Sequence, residues 1–177
     1  MEPTPEVPAA APFAISFRPV AADDQELLYR IYASTRTEEL APVPWSDEQK
    51  ESFLRMQFRA QSADYASNYP DAEFLIILLG GEPAGRLYVH RLPDEVHIID
   101  IALLPERRRG GTGTVILRDL QTAAAADGKP LRIHVERFNP ALHLYDRLGF
   151  RRTGDDGIYF VMEWRAGAPP PARPEAP

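Results

Sequence analysis

Short runs of alternating apolar and polar residues recur along this chain, separated by segments in which apolar residues return every three or four positions. Ile15 to Pro19 reads as a short strand. From about Asp24 the period lengthens, and Leu27, Leu28, Ile31 and Tyr32 fall on one face of a helix that Pro42 and Pro44 bring to an end. Ser46 and Gln49 form a capping box for a second helix, with Phe53, Met56 and Ala60 at core spacing. Phe74 to Leu79 and Gly85 to His90 are two strands with Gly80, Gly81 and Pro83 at their connection, which predicts a hairpin.

The run from Glu95 to Leu104 changes phase. Val96 and Ile98 share one face, while Ile99, Ile101 and Leu103 continue on the other. Either both faces are buried, as in a central strand, or a bulge sits near Ile98 and Ile99. After a glycine-rich loop, Thr114 to Ala126 is helical, with Val115, Ile116, Leu117 and Leu120 facing the core and Gly128 past its end. Leu131, Ile133 and Val135 alternate as a strand, Pro140 to Leu148 is a short helix stopped by Gly149, and Ile158, Phe160, Met162 and Trp164 alternate in a final strand. The order is strand, two helices, three strands, helix, strand, helix, strand pair: an α/β sheet with helices on its faces.

Composition sharpens the boundaries. Of 18 prolines, Pro3, Pro5, Pro8 and Pro12 lie in residues 1 to 12, and Pro169, Pro170, Pro171, Pro174 and Pro177 lie in residues 166 to 177. These ends have almost nothing to bury and are expected to be disordered Pro/Ala-rich tails around one domain, residues 13 to 165. The net charge of −6 lacks the basic footprint of a nucleic-acid binder. Without cysteine there is no disulfide scaffold, no Cys-ligated zinc and no thiol nucleophile. No apolar run approaches the roughly 18 residues of a membrane span, and the N-terminus lacks a secretory pattern, so a cytoplasmic protein is expected. His90, His97, His134 and His143 show no metal-binding spacing, so no metal is expected.

The chemistry concentrates in Pro105-Glu106-Arg107-Arg108-Arg109-Gly110-Gly111-Thr112-Gly113-Thr114. Glycines let backbone N–H groups turn inward, and the start of the following helix adds unpaired donors and a positive dipole end. Such a strand, loop and helix start holds a pyrophosphate; a flexible turn with solvated arginines is the competing reading. Neither the Walker ending nor the Rossmann glycine spacing is met.

Arg108-Arg109-Gly110-Gly111-Thr112-Gly113 matches Gln/Arg-x-x-Gly-x-Gly/Ala, the acyl-CoA loop of the GCN5-related N-acetyltransferase (GNAT) superfamily, which the chain resembles over about residues 15 to 165. The stretch from Asn139 to Phe150, with Tyr145 and Leu148-Gly149-Phe150, resembles the family's Asn-containing strand end, Tyr-bearing helix and Leu-Gly-Phe exit. The resemblance implies the GNAT fold, a mixed sheet of about six or seven strands with about four helices on its faces. It implies an N-acetyltransferase moving an acetyl group from acetyl-CoA to a small-molecule or peptide amine, or else a non-catalytic acyl-CoA sensor, with a homodimer as one option.

Residue by residue, the resemblance implies that backbone amides of Arg109, Gly110, Gly111, Thr112, Gly113 and Thr114 receive the pyrophosphate, with Arg108 and Arg109 adding positive charge. Ile101, Ala102 and Leu103 pair with the pantetheine amides, Asn139 contacts the same arm, and Tyr145 protonates the departing thiolate. Tyr145 equally fits a plain core position, and Asn139 a helix cap. For the proton of the amine, Asp100 is the first candidate because it lies in an apolar run, although a carboxylate paired with an arginine fits as well. His97, Glu95, Glu136 and water are the others, His97 being read as exposed.

Overall fold

The computed structural model of the chain describes residues 14–168. The tails expected at 1 to 12 and 166 to 177 lie outside the described residues, except for Ala166, Gly167 and Ala168. In chain order the elements are β1 (Ile15–Pro19), α1 (Gln25–Leu40), α2 (Asp47–Asn68), β2 (Glu73–Leu79), β3 (Glu82–Arg91), β4 (Val96–Leu103), α3 (Thr112–Ala126), β5 (Leu131–Glu136), α4 (Leu142–Arg147), β6 (Arg151–Asp155) and β7 (Tyr159–Trp164). The seven strands form one sheet in the order β1-β2-β3-β4-β5-β7-β6.

Turn chemistry builds the first half. Gly80 and Gly81 both have positive φ, 60° and 86°, and close the two-residue β2–β3 hairpin as expected. The capping box is present: Gln49 N–H donates to Ser46 Oγ at 3.2 Å, and Ser46 N–H donates to Gln49 Oε1 at 2.9 Å. In front of α1, Arg18 donates to both oxygens of Asp24 at 2.6 and 2.7 Å, and Ala21 N–H donates to Asp24 Oδ2 at 2.7 Å. The Arg18 bond leads in pulling the buried Asp24 carboxyl down to about 2, against burial, which alone raises it.

Asp24→Asn is therefore expected to cost about 2 kcal/mol at neutral pH. Because the folded pKa lies below the unfolded one, that contribution is complete above pH 4 and fades as pH falls toward 2. Urea unfolding of both proteins across that range measures it.

The phase change in β4 is a bulge. Tyr88 pairs with Asp100 and Val89 with Ile98, leaving Ile99 as the extra residue. The bulge puts His97 and Asp100 on one face of the sheet. The opposite face is apolar: Leu87, Val89, Val96, Ile98, Leu131, Ile133, Val135 and Met162 pack with Ile116, Leu117 and Leu120 of α3. A second cluster, Leu28, Tyr29, Tyr32, Phe58, Ile76 and Tyr88, joins α1 and α2 to the other face.

Several sequence-based expectations shift. The inward stripe of α2 is Leu54, Phe58 and Tyr65, not Phe53, Met56 and Ala60; Met56 is 55% exposed and Phe53 packs edge-on against Trp45 at 5.3 Å. Both stripes have helical spacing, and the sheet selects between them. Ile158 belongs to the β6–β7 turn and is exposed, because Asp156 Oδ1 accepts from the N–H groups of Ile158 and Tyr159. α3 starts two residues early at Thr112, and α4 only at Leu142.

Candidate active site

β4 and β5 run parallel, yet they pair only through Val96, His97 and Ile98 opposite Leu131, Arg132 and Ile133. Beyond Ile98 the two strands part while β4 stays paired to β3 as far as Leu103. The edge of Ile101, Ala102 and Leu103 that would face β5 is thus unpaired with it, and unpaired strand edges bind extended ligands through main-chain hydrogen bonds.

The loop expected to take a pyrophosphate follows directly. A 3-10 turn at Pro105–Arg107 leads to Arg109 and Gly111, both with positive φ (64° and 82°), and Gly111 caps α3. A Cβ built on Gly110 or Gly111 meets nothing within 4 Å, so open space lies beside the amides of this turn. Gly113 lies against α4, where a Cβ would touch Leu144 at 3.7 Å. Thr112 is buried and Thr114 half-buried in the first turn of α3. A helix N-terminus with an open glycine approach fits an anionic phosphate. Arg108 is engaged differently from the expectation: Nε donates to Leu103 O at 2.8 Å and Nη2 to Ser34 Oγ at 2.9 Å. Arg109, exposed like Arg108, makes no such bond among the described residues.

On the other bank, Asn139 closes the turn that precedes α4: its Oδ1 accepts from Ala141 N–H at 2.8 Å, and Ala141 itself is the N-cap residue. Tyr145, one turn further, is 4% exposed and packs edge-on against Phe150 at 5.5 Å. Its hydroxyl makes no hydrogen bond to another described residue. Burial, with a smaller push from the Asp100 charge, raises its pKa, so the phenol keeps its proton at neutral pH.

Every candidate base has a partner. Asp100 receives a 2.5 Å hydrogen bond from Nη2 of Arg86, which is 3% exposed and also donates to Gln61 Oε1 at 3.1 Å. Glu95 pairs with Arg132 at 2.7 Å and Glu136 with Arg36 at 2.7 Å. His97 is buried, not exposed as read from sequence: its Nε2 lies 3.2 Å from Nδ1 of His134 and its ring sits edge-on to Tyr69. Burial, then the neighbouring His134, His90 and Arg132, lower its pKa to about 4, leaving it neutral at pH 7. Among the described residues no group of three His, Asp or Glu side chains is placed to hold a metal ion.

Arg86 and Gln61 are site neighbours that sequence reading missed. The available signal was an arginine inside the apolar run of β3, since a buried guanidinium demands a carboxylate partner. Which carboxylate depends on the β3–β4 register.

The Acetyltransferase (GNAT) family pattern matches residues 27–150, more than half of the chain. Solved structures share the architecture. The PaiA N-acetyltransferase from Thermoplasma acidophilum, in complex with coenzyme A, superposes with a TM-score of 0.65 at 21% identity, covering 86% of this chain and 99% of that one. An acetyltransferase from Thermus thermophilus gives 0.59 at 22%, covering 85% and 96%. The ribosomal-protein-S18-alanine N-acetyltransferase of Escherichia coli gives 0.54 at 20%, covering 85% and 91%. At such identities the likeness speaks for the fold. No curated protein matches the chain in sequence. The family match over residues 27–150, on a seven-stranded sheet that opens between β4 and β5, establishes that the chain belongs to the GNAT acetyltransferase family.

Proposed function

We propose that the protein transfers an acetyl group from acetyl-CoA directly to the amine of a small-molecule or peptide acceptor, in a ternary complex. The observation that carries this reading is the opening after Ile98, with the glycine loop following β4 and Tyr145 near enough to Asp100 to feel its charge. Acetyl-CoA supplies the activated thioester; the rest is positioning by the chain. Amides of Arg109 to Thr114 hold the pyrophosphate, the Ile101 to Leu103 edge orients the pantetheine arm together with Asn139, and Tyr145 supplies a proton to the sulfur. The chain has no cysteine to carry an acyl intermediate, which favours direct attack.

Asp100, held in place by Arg86, orients the amine and accepts its proton directly or through water. A buried ion pair is a costly thing to break, about 3–5 kcal/mol when one partner is removed, so Asp100→Asn tests stability and chemistry together. Where the amine arrives neutral, orientation supplies most of the rate.

The pairing of every candidate base favours a second reading, an acyl-CoA sensor without turnover. Calorimetric titration of the full chain with acetyl-CoA tests what both readings share. Saturable binding between about 1 μM and 1 mM is expected, and no heat at millimolar ligand overturns both. Thiol release with a panel of amines then separates them: binding without turnover on any amine leaves the sensor.

A further inference from the structure

Helix α1 is fastened to both banks of the opening between β4 and β5. On the cofactor-loop bank, Arg108 donates to Ser34 Oγ at 2.9 Å, and Arg30 lies 4.0 Å from Glu106. On the far bank, Arg36 donates from Nη2 to Glu136 Oε1 at 2.7 Å and from Nη1 to Glu136 Oε2 at 3.1 Å. Nη1 also reaches Glu39 at 3.1 and 3.2 Å, which holds the guanidinium in place from its own helix.

Glu136 is the last residue of β5, three positions beyond Ile133, where pairing with β4 stops. It shares the face of His134 and Arg132, which is also the face of Asp100 and of α1. The Arg36–Glu136 contact joins residues 100 apart in sequence and ties α1 to the end of β5 on the Asp100 face of the sheet. At side-chain exposures of 26% and 34% it adds about 1 kcal/mol or less to stability. A bidentate guanidinium–carboxylate pair does, however, fix the distance between its two supports. Its main effect is on the width of the gap.

We propose that the Arg36–Glu136 pair is a specificity-determining strap: it spans the acceptor side of the opening, admits compact amines and rejects bulky ones. This rests on the acetyl-transfer reading and adds the class of acceptor to it. Proton acceptance is assigned above to Asp100; Glu136, the alternative base candidate, is held by Arg36, and the pair acts through the shape of the entrance.

The test compares the full chain with Arg36→Ala, Glu136→Gln and the exchanged pair Arg36→Glu/Glu136→Arg, using acetyl-CoA with n-butylamine and with a lysine-containing pentapeptide. In the parent chain kcat/KM is expected to favour n-butylamine. In either single variant KM for the pentapeptide falls by about tenfold or more, and in Arg36→Ala kcat with n-butylamine and acetyl-CoA affinity stay within about twofold. The exchanged pair restores the parent preference. A uniform loss on both amines, or an unchanged preference, overturns the strap while leaving acetyl transfer standing.

A readout independent of turnover comes from the absence of cysteine. A single Ala102→Cys, on the Asp100 face of β4, is modified with iodoacetamide and with a polymer-bearing maleimide. Adding Arg36→Ala is expected to speed the large reagent by about tenfold or more relative to the small one. An unchanged ratio overturns the strap even if no amine in the panel is acetylated.

Discussion

Replacing Tyr145 by phenylalanine is expected to lower kcat for acyl transfer by about 10²-fold or more, with acetyl-CoA affinity held within about twofold. The substitution is close to isosteric: Tyr145 is 4% exposed, its ring packs on Phe150, and a phenylalanine ring keeps that contact. What disappears is one hydroxyl, and a 10²-fold loss corresponds to about 2.7 kcal/mol of barrier. Burial and the Asp100 charge both raise the phenol pKa, so the donor form persists throughout the neutral range and this group adds no alkaline limb there. Kinetics and thermal unfolding of the same preparation decide the matter. An unchanged kcat in a folded variant would assign the protonation of sulfur to water, whereas a loss confined to KM would make Tyr145 a binding residue.

The largest structural effect is expected at Gly85, far from any sequence motif. Gly85 sits on β3 opposite Leu103, and a Cβ there would lie 2.2 Å from Ala102 O and 3.0 Å from Leu103 Cα. These are backbone atoms, so no rotamer change relieves the clash and β3 must part from β4. Gly85→Ala should cost about 3 kcal/mol or more, and about 6 °C or more in Tm. Because Ala102 and Leu103 belong to the edge assigned to pantetheine, acetyl-CoA affinity should fall along with stability. Gly110→Ala makes the contrast: its Cβ meets no protein atom within 4 Å, so stability should change by no more than about 0.5 kcal/mol while the pyrophosphate loses room. Equal stability of Gly85→Ala and the parent chain would mean that the β3–β4 spacing is softer than the packing implies.

Much of this was legible in the chain. The hairpin at Gly80 and Gly81, the capping box of Ser46 and Gln49 and the glycine loop before α3 are local features, set by φ preferences and by contacts within four residues, whereas the choice between a central strand and a bulge at Ile98 and Ile99 was made by the β3 register. The ambiguous cases failed for want of a partner surface. Phe53 and Phe58 both fit a helical stripe, and only the sheet beneath α2 decides that Phe58 turns inward and Phe53 meets Trp45. His97 looked exposed because alternation names a face without saying what covers it; Tyr69 and His134 do so here.

At the site the division is sharper. The amino-acid sequence by itself determined the order of elements, the anion-suited loop from Arg108 to Thr114, the helix that presents Tyr145 and the family, since each rests on residues adjacent in the chain. Tertiary structure alone decided that β4 and β5 part after Ile98, that Asp100 is claimed by Arg86, that Arg108 fastens the loop to α1, and that Arg36 reaches Glu136. The physical reason is reach. Backbone preference and periodicity act over a turn or a strand, whereas a charge finds its partner through strand register and crossover, which here bring together residues 14, 74 and 100 positions apart.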